Sequence, residues 1–406
     1  MSEQPITTPS TSQPVIPRKY LFAFIIVTSL FALWGFANDI TNPMVAAFKN
    51  ILLISNFESS LVQAAFYGGY CFMAIPAALF ITRFSYKAGL LMGLAFYAAG
   101  CLLFVPAGGM MAFWLFLVAY FVMTCGLSFL ETSANPYILS MGDPSTSTRR
   151  LNFAQAFNPL GSITGMLIAR NLILAKIDST SEADRRVLSE ENPEAFAAIQ
   201  QSDLDIIVGP YVVLGVVVLA ILIVFALVKL PGTSSGDIKT AVMPTIKRLI
   251  ARPHYVWGVV AQAFYVGAQI MCWTFVIQYG MNELNMTAAS AQSYNIWAMG
   301  IFVSSRFICT YLLKFFNPGS LLSGLAIGGG VLTLGAIFLT GMPGLYALIG
   351  VSACMSLMFP TIYGIALEGT GEDAKFGSAG LILAIGGGCL MPPMQAAIMD
   401  MDAFSF

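Results

Sequence analysis

Long apolar runs alternate along the chain with short polar breaks. A helix rises about 1.5 Å per residue and the hydrocarbon layer of a bilayer is about 30 Å thick, so about 20 predominantly apolar residues suffice to cross it. Eleven stretches approach or exceed that length: 20–42, 59–82, 86–106, 111–140, 151–175, 207–229, 255–281, 288–313, 319–340, 344–369 and 376–399. Each is predicted to be a membrane helix. Two hydrophilic segments break the series. Lys176 to Asp205 is rich in acidic residues, and Pro231 to Arg252 carries Gly, Ser, Thr, Lys247 and Arg248. The second is the natural boundary between two halves. The pattern predicts an all-α integral membrane bundle with a disordered polar tail over 1–19 and a six-helix N-terminal half over 20–230. A cytoplasmic linker over 231–253 and a five-helix C-terminal half over 254–406 complete it. A two-half plan of this kind calls for a twelfth span, so the C-terminal half is expected to be truncated.

Composition agrees with the pattern. Of 406 residues, 57% are hydrophobic and 10% charged, against about 25% charged in soluble chains. So few charges do not build a water-soluble surface. The net charge is −1 and the basic residues are dispersed, which excludes a nucleic-acid surface. His254 is the only histidine and sits in a polar loop, so histidine-pair metal sites and Ser/His/Asp catalysis are excluded, and no enzyme is expected. The seven cysteines lie inside apolar runs without metal-ligand spacing and read as packing residues. With the N-terminus cytoplasmic, Arg18, Lys19, Arg83, Lys87, Lys247, Arg248 and Arg252 all fall inside, while the short outer loops receive only Lys49. The expected location is therefore a plasma membrane, the inner membrane of a bacterium, with lipid as the surrounding partner and a monomer as the working unit.

Candidate chemistry lies in the polar residues that interrupt the spans, because an ionisable group at the bilayer centre costs at least about 2.5–3.5 kcal/mol and is retained for a reason. Asp39, Glu131, Arg306 and Glu368 qualify. Glu131 has Ser128 and Asn135 within one helical turn and Thr124, Thr132 and Ser133 nearby, a face unsuited to lipid. A carboxyl shielded from water can alternate between neutral and charged forms, as a proton-coupled carrier requires. Asp39 lies beside Asn38 and faces Asn42 at i, i+3; it reads either as a cavity carboxylate or as an exposed helix end before Pro43. Gln155 and Asn158 at i, i+3, and Gln262 and Gln269 seven apart, offer carboxamides that donate and accept, which suits vicinal hydroxyls. Trp34, Tyr265 and Trp273 offer ring faces to the apolar side of a sugar. Arg306 reads as a structural cation.

The string Leu130-Glu131-Thr132-Ser133-Ala134-Asn135-Pro136-Tyr137, with Arg150-Leu151-Asn152-Phe153-Ala154-Gln155-Ala156-Phe157-Asn158, resembles the fucose–galactose–proton symporters of the major facilitator superfamily. So does the segment from Ala261 to Trp273. The resemblance runs from about Phe31 onward. It implies a major facilitator bundle that moves L-fucose or a related monosaccharide with a proton, driven by the proton gradient without any cofactor. It also implies that Glu131, Gln155 and Asn158 line the cavity. A uniporter, a carrier of glucose or galactose, and a non-transporting membrane sugar sensor are the rival expectations. One position departs: the fucose permeases carry an aspartate where this chain has Asn42, and an amide where it has Asp39.

Overall fold

The computed structural model describes residues 16–142, 150, 153–155, 157–231, 242–312, 315–368, 370 and 373–401. Most of the expected tail and the first part of the expected linker lie outside the described residues. Every regular element among those described is helical. A short 3₁₀ turn, Arg18–Tyr20, leads into α1 (Leu21–Thr41), α2 (Met44–Leu52), α3 (Asn56–Arg83), α4 (Tyr86–Leu102), α5 (Phe104–Gly109) and α6 (Phe113–Leu139). Then come α7 (Asn158–Ile168) with a π-helical extension Ala169–Leu174, α8 (Glu182–Glu191) and α9 (Pro193–Leu227). The C-terminal series is α10 (Val242–Ile250), α11 (Pro253–Leu284), α12 (Ala288–Leu312), α13 (Pro318–Phe338), α14 (Met342–Met355) and α15 (Met358–Leu367). It closes with α16 (Ala374–Leu383), a 3₁₀ turn Ala384–Gly386 and α17 (Gly387–Met399).

Among the described residues, eight helical segments are long and apolar enough to cross a membrane, including Arg18–Leu52, Pro193–Leu227 and Pro253–Leu284. The other three expected spans, 151–175, 288–313 and 344–369, are largely helical over their described residues, but are broken or more polar. The one over 344–369 divides into α14 and α15, and the one over 151–175 passes from α7 into its π-helical extension. The acidic segment Lys176 to Asp205 is a larger departure. It is not a simple loop: α8 is capped by Ser181, whose hydroxyl accepts from the Asp184 amide at 3.1 Å. After Asn192, whose side chain accepts from the Ala195 amide at 3.1 Å, α9 begins at Pro193 and runs for 35 residues. Apolarity reports where a helix meets lipid, whereas helix formation needs only a cap and good helix formers. The first turns of α9 therefore extend beyond the apolar part and dock through Gln200 on the Ile51 carbonyl at 2.9 Å. The expected linker is also partly helical, since α10 occupies Val242–Ile250.

The helices pack as two groups, α1 to α9 and α10 to α17. In the first, α6 lies against α3 and α4, α1 against α7, and α4 against α9; in the second, α11 is the hub for α12, α15 and α17. The α1 and α7 interface is close because Gly35 and Gly161 have no side chain. A Cβ on Gly35 would overlap the Asn158 carbonyl, and one on Gly161 the Ala32 carbonyl. The two groups meet along two seams, α3 against α16 and α17, and α7 with its π-helical extension against α12.

At the end of the bundle where α2 finishes and α3 starts, here called the far end, several contacts cross between the groups. The Asp400 carboxylate accepts from the Asn56 amide at 3.2 Å, the Asn56 side chain at 2.6 Å and the Phe57 amide at 2.7 Å. Arg170 donates from Nε to Ser293 Oγ at 2.9 Å. Ala46 packs against Ile277 and Ala291. These contacts close the far end.

Candidate functional site

Asp39 lies in the last turn of α1 and is 3% exposed. Of the two readings open at this position, burial selects the interior carboxylate. Asn42 Nδ2 donates to Asp39 Oδ1 at 3.1 Å, and the amide is oriented so that its Oδ1 accepts from Gln63 Nε2 at 3.0 Å. The same Gln63 nitrogen donates to Thr274 Oγ1 at 3.0 Å. Gln63 belongs to α3 and Thr274 to α11, so one line of hydrogen bonds runs from a buried carboxylate into the opposite half of the bundle. In an interior of low dielectric such a line is stronger than its separate members, and each missing partner is correspondingly expensive.

Glu131 is half-buried on α6 and faces α3, where Tyr70 lies beside it and Tyr67 lies within electrostatic reach of both Glu131 and Asp39. The rings of Tyr67 and Tyr70 stack with centroids 6.4 Å apart at 22°. Tyr67 is held from behind by Gly388, where an added Cβ would come within 2.7 Å of the ring. The polar neighbours expected around Glu131 contribute unequally. Thr132 donates to the Ser128 carbonyl at 2.7 Å, Ser133 to the Phe129 carbonyl at 2.6 Å and Thr124 to the Tyr120 carbonyl at 3.0 Å, so these hydroxyls serve their own helix. Asn135, one turn below Glu131, accepts from Gln155 Nε2 at 3.4 Å, which brings α7's approach segment to the same face.

The remaining expected residues divide by how much of their polarity is committed. Asn158 donates to the Phe31 carbonyl at 3.3 Å and fastens α7 to α1. Trp34 is buried and stacks on Phe31 with centroids 4.4 Å apart at 23°. The Tyr265 hydroxyl donates to the Met355 carbonyl at 2.9 Å, and Trp273 Nε1 to Ser352 Oγ at 3.1 Å, so both tie α11 to α14 and keep only ring faces for a ligand. By contrast, among the described residues neither amide atom of Gln262, which is 0% exposed, has a partner, and Asn38 Oδ1 is likewise buried without one. Gln269 is half-buried two turns along from Gln262. The structure thus joins Asp39 to Asn42 directly and relates Asp39 to Glu131 through Tyr67. It places Gln262, Gln269, Tyr265 and Trp273 on α11, in the other half of the bundle.

Arg306 is structural, as expected: its Nε donates to the Ser356 carbonyl at 3.1 Å and its guanidinium lies 4.8 Å from the Phe302 ring centroid. Glu368 is exposed just past the end of α15, with its carbonyl 3.1 Å from His254 Nε2. Gln63 and Thr274 were not singled out from the sequence. The available signal was an amide alone in the apolar second span, of the same kind that drew attention to Gln262. An apolar groove of about 800 Å³ also opens among α1, α7 and α9, lined by Leu33, Phe36, Leu160 and Val213; none of the candidate residues lines it.

Comparison with known proteins gives consistent matches. The model of the Major Facilitator Superfamily matches residues 25–379. The chain is 53% identical to an L-fucose-proton symporter of Haemophilus influenzae over 393 residues, covering 95% of this chain and 91% of that protein. It is 36% identical to the L-fucose-proton symporter of Escherichia coli, covering 94% and 88%, and 29% identical to a glucose/galactose transporter of Brucella abortus, covering 98% and 92%. Among solved structures it aligns with a major facilitator transporter, FucP, in the outward conformation at a TM-score of 0.74 and 35% identity, over 95% of this chain and 94% of that one.

Proposed function

Because this chain belongs to the Major Facilitator Superfamily, a family of multi-pass membrane transporters, we propose that it moves L-fucose across the membrane together with a proton. The relatives at 53% and 36% identity carry that activity in their names, and the glucose/galactose transporter, at 29%, is more distant. The observation that carries the reading is the paired carboxylates. Asp39 and Glu131 sit on different helices with Tyr67 within reach of both, and the Asp39 side leads through Asn42 and Gln63 to the other half of the bundle. A carrier that couples a proton to a neutral solute needs a carboxyl that changes charge where the two halves meet, and this arrangement supplies it.

The roles follow from what each side chain has left to offer. Glu131 is the proton-exchanging group, and Asp39 is the second acid, tied to the contact between halves. Gln155, Gln262, Gln269 and Asn38 supply hydrogen bonds to sugar hydroxyls, and Trp34 and Trp273 cover the ring. Asn42 and Asn158 position α1 around the site. The far end is extracellular and the N-terminus cytoplasmic, in agreement with the distribution of Lys and Arg. The protein then acts in the inner membrane of a bacterium, as a monomer surrounded by lipid, with the domain boundary in the linker over 231–253 and no cofactor.

Proteoliposomes carrying the purified protein test the proposal. Labelled L-fucose is expected to enter faster under an inward proton gradient, and Glu131→Gln to abolish that dependence. Gradient-insensitive uptake by the unaltered protein would remove the symport claim, and preferential uptake of glucose in a competition panel would remove the sugar assignment.

A further inference from the structure

The second half of the bundle holds polar groups that the roles above leave unused. Gln292 on α12 is 0% exposed, and neither its amide nitrogen nor its amide oxygen has a partner among the described residues. Asn295, one turn further along the helix and equally buried, donates from Nδ2 to the Trp273 carbonyl at 3.1 Å, while its Oδ1 has no partner among the described residues. Successive positions at 292, 295, 299 and 306 share one face of a helix. That face therefore runs from two amides through Met299 to Arg306.

Its position relative to the seam is defined by its neighbours. Ala291 packs against Ala46 and Ile277, and Ser293 accepts from Arg170, so the residues on both sides of Gln292 are themselves inter-half contacts. Asn295 is anchored to the carbonyl of Trp273, the residue before Thr274, which receives the hydrogen bond from Gln63. Gln292 and Asn295 thus lie in the layer where the two halves close on each other at the far end. Unpartnered amides are costly to retain in such a layer unless another state of the protein uses them.

We infer that Gln292 and Asn295 form a sugar-hydroxyl subsite on α12 that engages the substrate when the far end parts. The inference rests on the transport reading above. Opening separates Ala46 from Ala291, Arg170 from Ser293 and Gln63 from Thr274. It thereby uncovers a carboxamide with two donors and an acceptor next to a second amide oxygen, a set that matches adjacent hydroxyls of a pyranose. Gln262 lies roughly six helical turns from the far end of α11 and Gln292 barely one turn into α12, so the two amides serve different depths of the path.

The test is initial uptake of L-fucose and its singly deoxygenated analogues by cells making the unaltered protein, Gln292→Met or Asn295→Ala. Gln292→Met keeps the volume and removes a buried unpartnered amide, so folding is expected to be preserved. The expected result is a KM for L-fucose raised about tenfold with kcat little changed, because a hydrogen bond to the substrate is lost. For one deoxy analogue the variant is expected to lose the penalty that the unaltered protein shows, a signature that a merely structural role does not produce. Gln292→Met with an unchanged KM and unchanged discrimination across the analogues would overturn this inference alone. Absence of sugar uptake by the unaltered protein would overturn both it and the transport reading.

Discussion

Asp39 and Glu131 are held in different ways, and that difference separates their expected behaviour. Asp39 is one end of a fully buried line of hydrogen bonds, whereas Glu131 is half-buried beside two tyrosines. Net transport driven by a gradient requires the proton to leave on each cycle, but exchange of one sugar for another does not. Asp39→Asn and Glu131→Gln are therefore both expected to reduce gradient-driven accumulation at least about tenfold while sparing counterflow, the loss expected when a group acting in proton transfer is removed. Parallel accumulation and counterflow assays with labelled L-fucose check this; loss of both activities in either variant would place that residue in sugar binding or folding instead. The inverted pair at positions 39 and 42, an acid and an amide relative to the pattern of the family this chain resembles, is compatible with this role because the two side chains are bonded at 3.1 Å and Asn42 carries the line on to Gln63.

Individual elements add constraints of their own. The close approach of α1 and α7 depends on Gly161, where any side chain would run into the Ala32 carbonyl. Gly161→Val is expected to lower stability by about 1–3 kcal/mol, the usual cost of overpacking, and to lower the thermal unfolding midpoint in detergent. The α8–α9 hairpin is held by Arg185, whose side chain is 1% exposed and bonds Asp203 at 2.6 Å and the Asp178 carbonyl at 3.0 Å. Arg185→Met leaves a buried carboxylate uncompensated, with an expected loss of about 3–5 kcal/mol; the same melting experiment reads it, and restoration in Arg185→Met/Asp203→Leu identifies the pair as the cause. At the opposite end, Arg248 bonds Asp373 at 2.6 and 3.0 Å and holds that carboxyl below the usual carboxylate range. A depressed carboxylate contributes stability that is present above its unfolded value and lost as pH falls through its folded one. The tether of α10 is therefore expected to persist through neutral and mildly acid pH and to weaken only under strong acid, which protease accessibility of α10 against pH measures.

For the molecule as a whole, polar contacts add to the apolar packing of Ala46 on Ile277 and Ala291 in closing the far end. Gln63 to Thr274, Arg170 to Ser293 and Asp400 to the start of α3 all join the two halves there. A net contribution of about 1 kcal/mol for one such bond corresponds to about a fivefold change in the balance between closed and open forms. Gln63→Ala is expected to shift that balance toward the far-end-open form by this amount. Distances between spin labels on α2 and α12 report it directly, and an unchanged distribution in Gln63→Ala with Asp400→Ala would exclude a latching role. The balance is suited to a carrier, since contacts that are too strong would trap one orientation.

Apolar run lengths alone determined that this is a helical membrane protein, because a bilayer accepts little else and the required length is set by its thickness. The intramembrane acids and amides were also legible along the chain, since polar residues in hydrocarbon stand out against their surroundings. Three things were decided only by tertiary structure. Polar sequence between spans did not reveal that α9 begins at Pro193, because hydropathy measures contact with lipid and not backbone conformation. Whether Asp39 was buried or exposed depended on α3 and α7 covering it. The bond from Gln63 to Thr274 joins residues 211 positions apart, and no local periodicity encodes a meeting of that kind. Local pattern sets which helices form and how deep each residue lies, whereas the choice of which buried polar groups find each other belongs to the way the helices pack.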